Sequence, residues 1–151
     1  IRDRSPSRGL GDVYKRQPFY GESNMAGILS NIRVPTLHIT ATEDIIRIPG
    51  YYSGVEDRIA VFDAMPGARK VLAVFEGGSH SMFTDRNGTG GAELNSLVKA
   101  ATKELSIAFF ESTFGSSDAA LHSWPARHNT ILAKFITPGY SDIHRRANPS
   151  Y

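Results

Sequence analysis

The sequence predicts an α/β fold with an incomplete sheet, and three observations support this class. Two apolar runs have the length and composition of strands, "VPTLHITA" at 34–41 and "RKVLAVFE" at 69–76. A helical pattern lies between them at 54–65, and a longer one follows at 92–113. Strands that alternate with helices favour parallel pairing through right-handed crossovers. Two strands cannot form an independent sheet. Either further strands of the sheet are missing from this sequence, or residues 18–33 add one weak strand. We favour missing strands.

The first half of the chain is divided by apolar spacing and by residues that break helices and strands. Pro35 stands near the start of the first strand, where a strand tolerates proline, and "TEDIIRIPGYY" at 42–52 predicts a polar loop. The helix at 54–65 has an apolar face formed by Val55, Ile59 and Phe62, or Val61. "PGA" at 66–68 ends it. The second strand is almost continuously apolar, as expected for a parallel strand covered on both faces.

The second half is predicted to be mainly helical. The helix at 92–113 carries a broad core-facing stripe, with apolar residues three and four positions apart. That stripe consists of Leu94, Leu97, Val98, Ala101, Leu105, Ala108 and Phe109. "GSS" at 115–117 ends this helix. A last helical stretch is predicted over about 118–135, interrupted at Trp124 and Pro125, with Trp124 packed in the core, and 136–151 predicts a loose polar tail.

The first 17 residues differ in charge from the rest. They hold five of the 17 basic and two of the 15 acidic residues, so the remaining chain has 12 basic and 13 acidic residues. A nucleic-acid-binding protein needs a basic face on its folded part, and none is predicted. "SRGLGDVYKRQ" looks like a translated sequencing adapter, and the alternative is a disordered basic arm. With an adapter at 1–17, we expect the native N-terminus to be missing and 18–135 to be the C-terminal portion of a larger domain.

Composition excludes several classes of protein. With 40% hydrophobic residues, 151 residues can bury a core. The chain has no cysteine, which excludes disulfides, thiolate metal sites and a cysteine nucleophile but does not fix the compartment. No run of about 18 apolar residues occurs, so no membrane span is predicted.

Asp44 and His80 are the candidate catalytic residues. Asp44 follows the first predicted strand, and His80 follows the second after Gly77 and Gly78. Neighbouring parallel strands end at the same edge of a sheet, where the catalytic groups of open α/β sheets collect. We therefore expect a carboxylate–imidazole hydrogen bond. Such a carboxylate orients the ring and stabilises the imidazolium, so that the histidine can act as base and then as acid.

Both segments resemble parts of the α/β-hydrolase superfamily. "VPTLHITATEDIIRIP" is similar to its acid-bearing segment, a strand followed by G-x-x-D-x-x-(V/I)-P, with Ala41 in place of the glycine and Pro49 one residue late. "FEGGSHSMF" resembles the histidine loop of the polyester-hydrolase and cutinase-like branch, and a dienelactone-hydrolase-like branch is the alternative. The resemblance covers roughly 30–113. It implies that Asp44 is the acid and His80 the histidine of a Ser-His-Asp triad.

The nucleophile of such a triad is not found. The family carries it in a G-x-S-x-G turn between a strand and a helix, and this sequence contains no G-x-S-x-G. Ser23 in "GESNM" lacks the second glycine and follows no buried strand, so it is a weak candidate. We expect a C-terminal fragment of a serine hydrolase that is inactive alone, with small or polymeric carboxylic esters as substrates of the whole enzyme. The resemblance implies no cofactor.

Two other functions fit the sequence less well. One is a non-catalytic α/β module that binds a partner or a small ligand, which the absent nucleophile favours. The other is the same fold with different chemistry, such as dehalogenation through an upstream aspartate or acyl transfer. A metal site built from His38, Asp44 and His80 lacks the short ligand spacings of zinc motifs.

Several residues near the candidate pair have competing interpretations. Glu43 is expected to be solvated rather than to replace Asp44, and Asp85 to cap a turn. His38, in mid-strand, is expected to be a hydrogen-bonded core or interface histidine. For two sets of residues, both a cleft-lining role and an ordinary structural role fit the sequence. The first set is Arg47, Tyr51 and Tyr52 in the loop after Asp44, and the second is Met82 and Phe83 after His80.

Overall fold

The computed structural model describes residues 24–49, 51–84 and 91–138. The helices are α1 (Met25–Leu29), α2 (Val55–Asp63), α3 (Gly91–Phe114) and α4 (Ala119–Arg127). The strands are β1 (Thr36–Ala41), β2 (Ile46–Ile48), β3 (Tyr51–Ser53), β4 (Lys70–Phe75) and β5 (Leu132–Ile136). Two 3₁₀ turns span His80–Phe83 and Asn129–Ile131. The predictions for 1–17, Ser23, Asp85 and all but the start of 136–151 lie outside the described residues.

A three-stranded mixed sheet with the order β1–β4–β5 forms the centre of the described structure. β1 and β4 are parallel, as predicted, with Thr36 opposite Lys70 and Ala41 opposite Phe75. Their carboxyl ends therefore lie side by side at one edge. All six residues of β4 are buried, which agrees with a central strand covered on both faces.

The last strand was predicted as helix, and that prediction was wrong. α4 ends at Arg127, and β5 pairs antiparallel with β4, with Ala73 opposite Phe135. The Glu76 N–H also donates to the carbonyl of Ile131 at 2.9 Å. The sequence of β5, "LAKFI", contains good helix formers, but pairing along the second edge of β4 outweighs that local preference. Ile136 therefore belongs to the sheet and not to the tail.

Two smaller differences concern the region before α2. The predicted loop at 42–52 contains an antiparallel hairpin of β2 and β3, in which Arg47 lies opposite Tyr52. Within 18–33, the described residues form the short helix α1 and no strand. A weak strand in this region is therefore not found among residues 24–33, and the prediction of missing strands stays a prediction.

The sheet is covered on both faces by the alternating side chains of β4. One face packs against α3 and α4 in a cluster that includes Val71, Ala73, Phe75, Val98, Ala101, Leu105, Ala108, Phe109, Leu121 and Trp124. The other face packs Leu72 and Val74 against Phe62 of α2, with Val55 and Ile59 beside it. The predicted apolar stripes of both helices are thus confirmed, except for Leu97, which is 49% exposed. No helix in the described ranges is long and apolar enough to cross a membrane.

α2 is fixed at both ends by polar contacts. Asp57 accepts a hydrogen bond from the Gly54 N–H at 3.3 Å. Acidic side chains in the first turn also stabilise the helix, because their negative charge interacts favourably with the positive end of the helix dipole. At the other end, the buried Lys70 ammonium donates to the carbonyl of Phe62 at 2.5 Å. A cation close to the last carbonyls of a helix stabilises that end through the helix dipole. These contacts set the position of α2 over β1 and β4.

His38 lies on the face of β1 that is turned toward α2. Its ring meets Phe62 edge to face with centroids 5.4 Å apart, as expected for a core histidine. Its Nε2 is buried without a hydrogen-bond partner among the described residues, so the predicted hydrogen bond is not found at that atom. Burial lowers the pKa of His38 below its ordinary value of 6.5, and the Lys70 charge lowers it further.

His38 is expected to make the protein less stable in acid. Because the unfolded imidazole binds a proton near pH 6.5 and the folded one only at lower pH, the free energy of unfolding is at its full value above about 6.5. It falls as the pH decreases toward the lowered pKa of His38. Urea unfolding at about pH 7.5 and about pH 5 should show that His38→Leu loses less stability than the wild type. The exposed His122→Leu variant serves as control, and equal losses in all three proteins would contradict the prediction.

Candidate active site

The structure brings Asp44 and His80 into contact. Asp44 lies three residues beyond the end of β1, and His80 lies five residues beyond the end of β4. Nδ1 of His80 and Oδ1 of Asp44 are 2.9 Å apart, a normal hydrogen-bond distance. The contact expected from two parallel strand ends is therefore present, across 36 positions of sequence.

Three side chains hold the Asp44 carboxylate. The Thr40 hydroxyl donates to Oδ2 at 2.8 Å, and His80 occupies Oδ1. Nη2 of Arg58, on α2, lies 3.4 Å from the same Oδ1. The backbone N–H of Asp44 donates to the carbonyl of Ala41 at 3.0 Å, which fixes the turn that follows β1. An ionised carboxylate that is buried needs such partners, because an unpaired charge is costly to remove from water.

Two glycines shape the loop that presents His80. Gly77 and Gly78 have φ angles of 69° and 79°, a left-handed conformation that costs other residues about 1–2 kcal/mol. A Cβ on Gly78 would lie 2.6 Å from Cε of Met82, which is fully buried. The Gly77 N–H donates to the Thr42 hydroxyl at 2.8 Å, which joins the histidine loop to the acid loop. The glycines thus allow the turn, and Met82 anchors it.

The two side chains differ strongly in exposure, which matters for proton transfer. The His80 side chain is 63% exposed and that of Asp44 only 4%. When Asp44 accepts the Nδ1 proton, the neutral tautomer of His80 has its lone pair on Nε2. No described residue hydrogen-bonds to that Nε2. The pair can therefore accept a proton from a group in solution or in an adjacent site, with the resulting imidazolium stabilised by Asp44.

The other sequence candidates lie in ordinary surroundings. Glu43 is exposed and forms no ion pair among the described residues. Arg47 lies over the ring of Tyr52 at 5.7 Å on the hairpin, and the Tyr52 side chain is 47% exposed. Phe83 is partly buried against the core beside Met82, as an anchor of the loop. Within the described ranges, no three His, Asp or Glu side chains converge as a metal site requires.

Arg58 and Thr40 were not predicted as part of the site. Arg58 lies at the same spacing as Val55, Ile59 and Phe62, on the otherwise apolar face of α2. A charged residue within an apolar helical stripe indicates a buried partner of opposite charge. That pattern could have identified Arg58. Thr40 carries no comparable pattern, because a threonine near a strand end has many structural roles.

A cavity of about 260 Å³ adjoins the side chains that hold Asp44. Arg58 and Thr40, which both hold Asp44, form part of its wall, and His38 forms another part. The remaining lining is apolar and comes from β1, α2 and β4. The cavity therefore lies beside β1, the edge strand of the three-stranded sheet.

The described fold is a mixed α/β structure that places a buried carboxylate and an exposed histidine at one sheet edge. Comparison with known proteins adds no family to this description, since no family model, curated protein or solved structure matches the chain.

Proposed function

We propose that this chain supplies the acid and the histidine of a serine-type carboxylic ester hydrolase. The observation that carries the proposal is the 2.9 Å contact between Asp44 and His80 at the shared edge of two parallel strands. It is supported by the exposed side chain of His80 and by the buried, three-partner environment of Asp44. The resemblance of the two loops to those of α/β-hydrolases gives the reaction class.

In the proposed reaction, a serine hydroxyl attacks the ester carbonyl while Nε2 of His80 takes the hydroxyl proton. The tetrahedral intermediate collapses, the bond to the alcohol oxygen breaks, and the imidazolium returns the proton to the leaving alcohol. Water then adds to the acyl-enzyme with His80 again as base, which releases the acid and restores the serine. Asp44 holds the ring and stabilises the imidazolium in both halves.

In this proposal the serine belongs to a part of the enzyme outside these 151 residues, because their sequence contains no G-x-S-x-G. The sheet also suggests where the serine would be. In the described residues, β5 occupies one side of β4 and β1 has no partner on its outer side. Further parallel strands would extend the sheet from β1, and the cavity beside β1 would then lie under the nucleophile strand and its helix. We infer that the complete enzyme carries its nucleophile on that side.

The test begins with the source DNA upstream of the codon for Pro18. We expect an open reading frame that encodes G-x-S-x-G between a strand and a helix. Its complete product should hydrolyse a p-nitrophenyl ester and react with a fluorophosphonate probe at that serine. A start codon close to Pro18 would overturn the proposal, and so would a residue other than serine at the centre of that strand-to-helix turn. The start codon would favour a binding module, and an aspartate at the centre of the turn would favour dehalogenase chemistry.

A further inference from the structure

We propose that Arg58 is a positioning residue that holds Asp44 in place for His80. The catalytic meaning of this inference rests on the proposed function, but the placement of Asp44 by Arg58 does not. Arg58 lies on α2, an element that contributes no other group to the pair. Its side chain is only 14% exposed, and its Nη2 lies 3.4 Å from Oδ1 of Asp44.

The guanidinium is fixed before it meets the carboxylate. Nη1 of Arg58 donates to the carbonyl of Gly54 at 2.8 Å and also to the hydroxyl of Ser53, at the end of β3. Ser53 is itself buried. Arg58 therefore joins the hairpin, the first turn of α2 and the acid loop. A guanidinium has several donors in a rigid plane, so these bonds leave Nη2 directed at Asp44.

His80 and Arg58 share one oxygen atom of Asp44. His80 and Arg58 both approach Oδ1, while Oδ2 accepts from Thr40. The guanidinium therefore restrains the same carboxylate oxygen that contacts the imidazole. Glu43 and Glu76, on the acid loop and after β4, are exposed and form no ion pair with Asp44 or His80 among the described residues.

This arrangement predicts that Arg58 keeps the hydrogen bond between Asp44 and Nδ1 of His80 in place. Replacing Arg58 by glutamine removes the fixed guanidinium, so the ratio of the Nδ1–H to the Nε2–H tautomer of neutral His80 should fall by about two- to tenfold. Arg58→Lys keeps a positive charge but not the rigid planar donors, and it should lower the ratio less. The ratio is measured by NMR of the imidazole nitrogens in the full 151-residue chain, with the His80 resonances assigned through His80→Asn. Arg127→Gln, on the exposed surface of α4, is the charge-matched control and should leave the ratio unchanged.

The outcomes separate the inference from the proposed function. An unchanged tautomer ratio in Arg58→Gln, or an equal fall in Arg127→Gln, would overturn the role of Arg58 even if the complete enzyme hydrolyses esters. A lowered ratio in Arg58→Gln with a smaller change in Arg58→Lys would support it even if no esterase activity is found. If Arg58→Gln does not fold, Arg58→Lys decides: a ratio below that of the wild type supports the inference, and a wild-type ratio contradicts it. In an active complete enzyme, Arg58→Gln should lower kcat and leave KM nearly unchanged.

Discussion

His80→Ala in the complete open reading frame is expected to reduce kcat by about 10⁴ to 10⁶-fold, the largest effect of any single substitution in the site. The alanine removes the group that would accept the serine proton and return it to the alcohol. Because the His80 side chain is mostly exposed, its loss should leave the stability of the protein nearly unchanged. The measurement is single-turnover and steady-state hydrolysis of a p-nitrophenyl ester. Retention of more than about a tenth of the wild-type rate would remove His80 from the mechanism.

Asp44→Asn gives a matched test of the acid. The amide keeps the shape of the side chain but removes the negative charge and allows the wrong histidine tautomer, and we expect kcat to fall by about 10⁴-fold. Glu43→Gln makes the same chemical change one residue earlier, at an exposed position, and should change kcat less than about twofold. The reverse result would assign the acid to Glu43. If Asp44→Asn, Glu43→Gln and His80→Ala all remained active, the chain would be a binding module.

The parts of the fold that sequence predicted well are those with strong local patterns. The continuous apolar run of β4 and the three-and-four spacing in α3 left little choice of structure, and both were correct to within one residue at each end. Because β1 and β4 were both recognised as strands, their parallel pairing could be inferred. The contact between Asp44 and His80 then followed from that pairing. The contact between the two side chains was thus predictable from the sheet topology and not from the two residues themselves.

The parts that sequence did not predict depend on partners distant in the chain. β5 has a helix-compatible composition and becomes a strand because β4 offers a free edge at the point where α3 and α4 return the chain. The β2–β3 hairpin is short and contains Pro49, so neither strand has a clear local pattern. Arg58 reaches Asp44 only when α2 packs over β1. In each case the deciding interaction is tertiary, and a single local window does not contain it.

Trp124→Ala is expected to destabilise the chain by about 3–5 kcal/mol, a large part of the roughly 5–15 kcal/mol typical of a domain. Trp124 is fully buried where α4 meets the sheet, with ring centroids 5.2 Å from Phe135 and 6.2 Å from Phe75. Its indole N–H donates to the carbonyl of Ala101, on α3, at 3.0 Å. Alanine would leave a cavity between both helices and β5, and it would remove the hydrogen bond as well.

The hydrogen bond and the packing can be separated with Trp124→Phe. Phenylalanine keeps most of the apolar volume but has no N–H, so it should cost about 1–2 kcal/mol. Phe114→Ala is the control, because Phe114 lies at the end of α3 and is 83% exposed; it should change stability by less than about 0.5 kcal/mol. Trp124 is the only tryptophan, so urea unfolding must be followed by far-ultraviolet circular dichroism in the wild type and all three variants. Equal losses for Trp124→Ala and Phe114→Ala would mean that α4 does not close the core over β4 and β5.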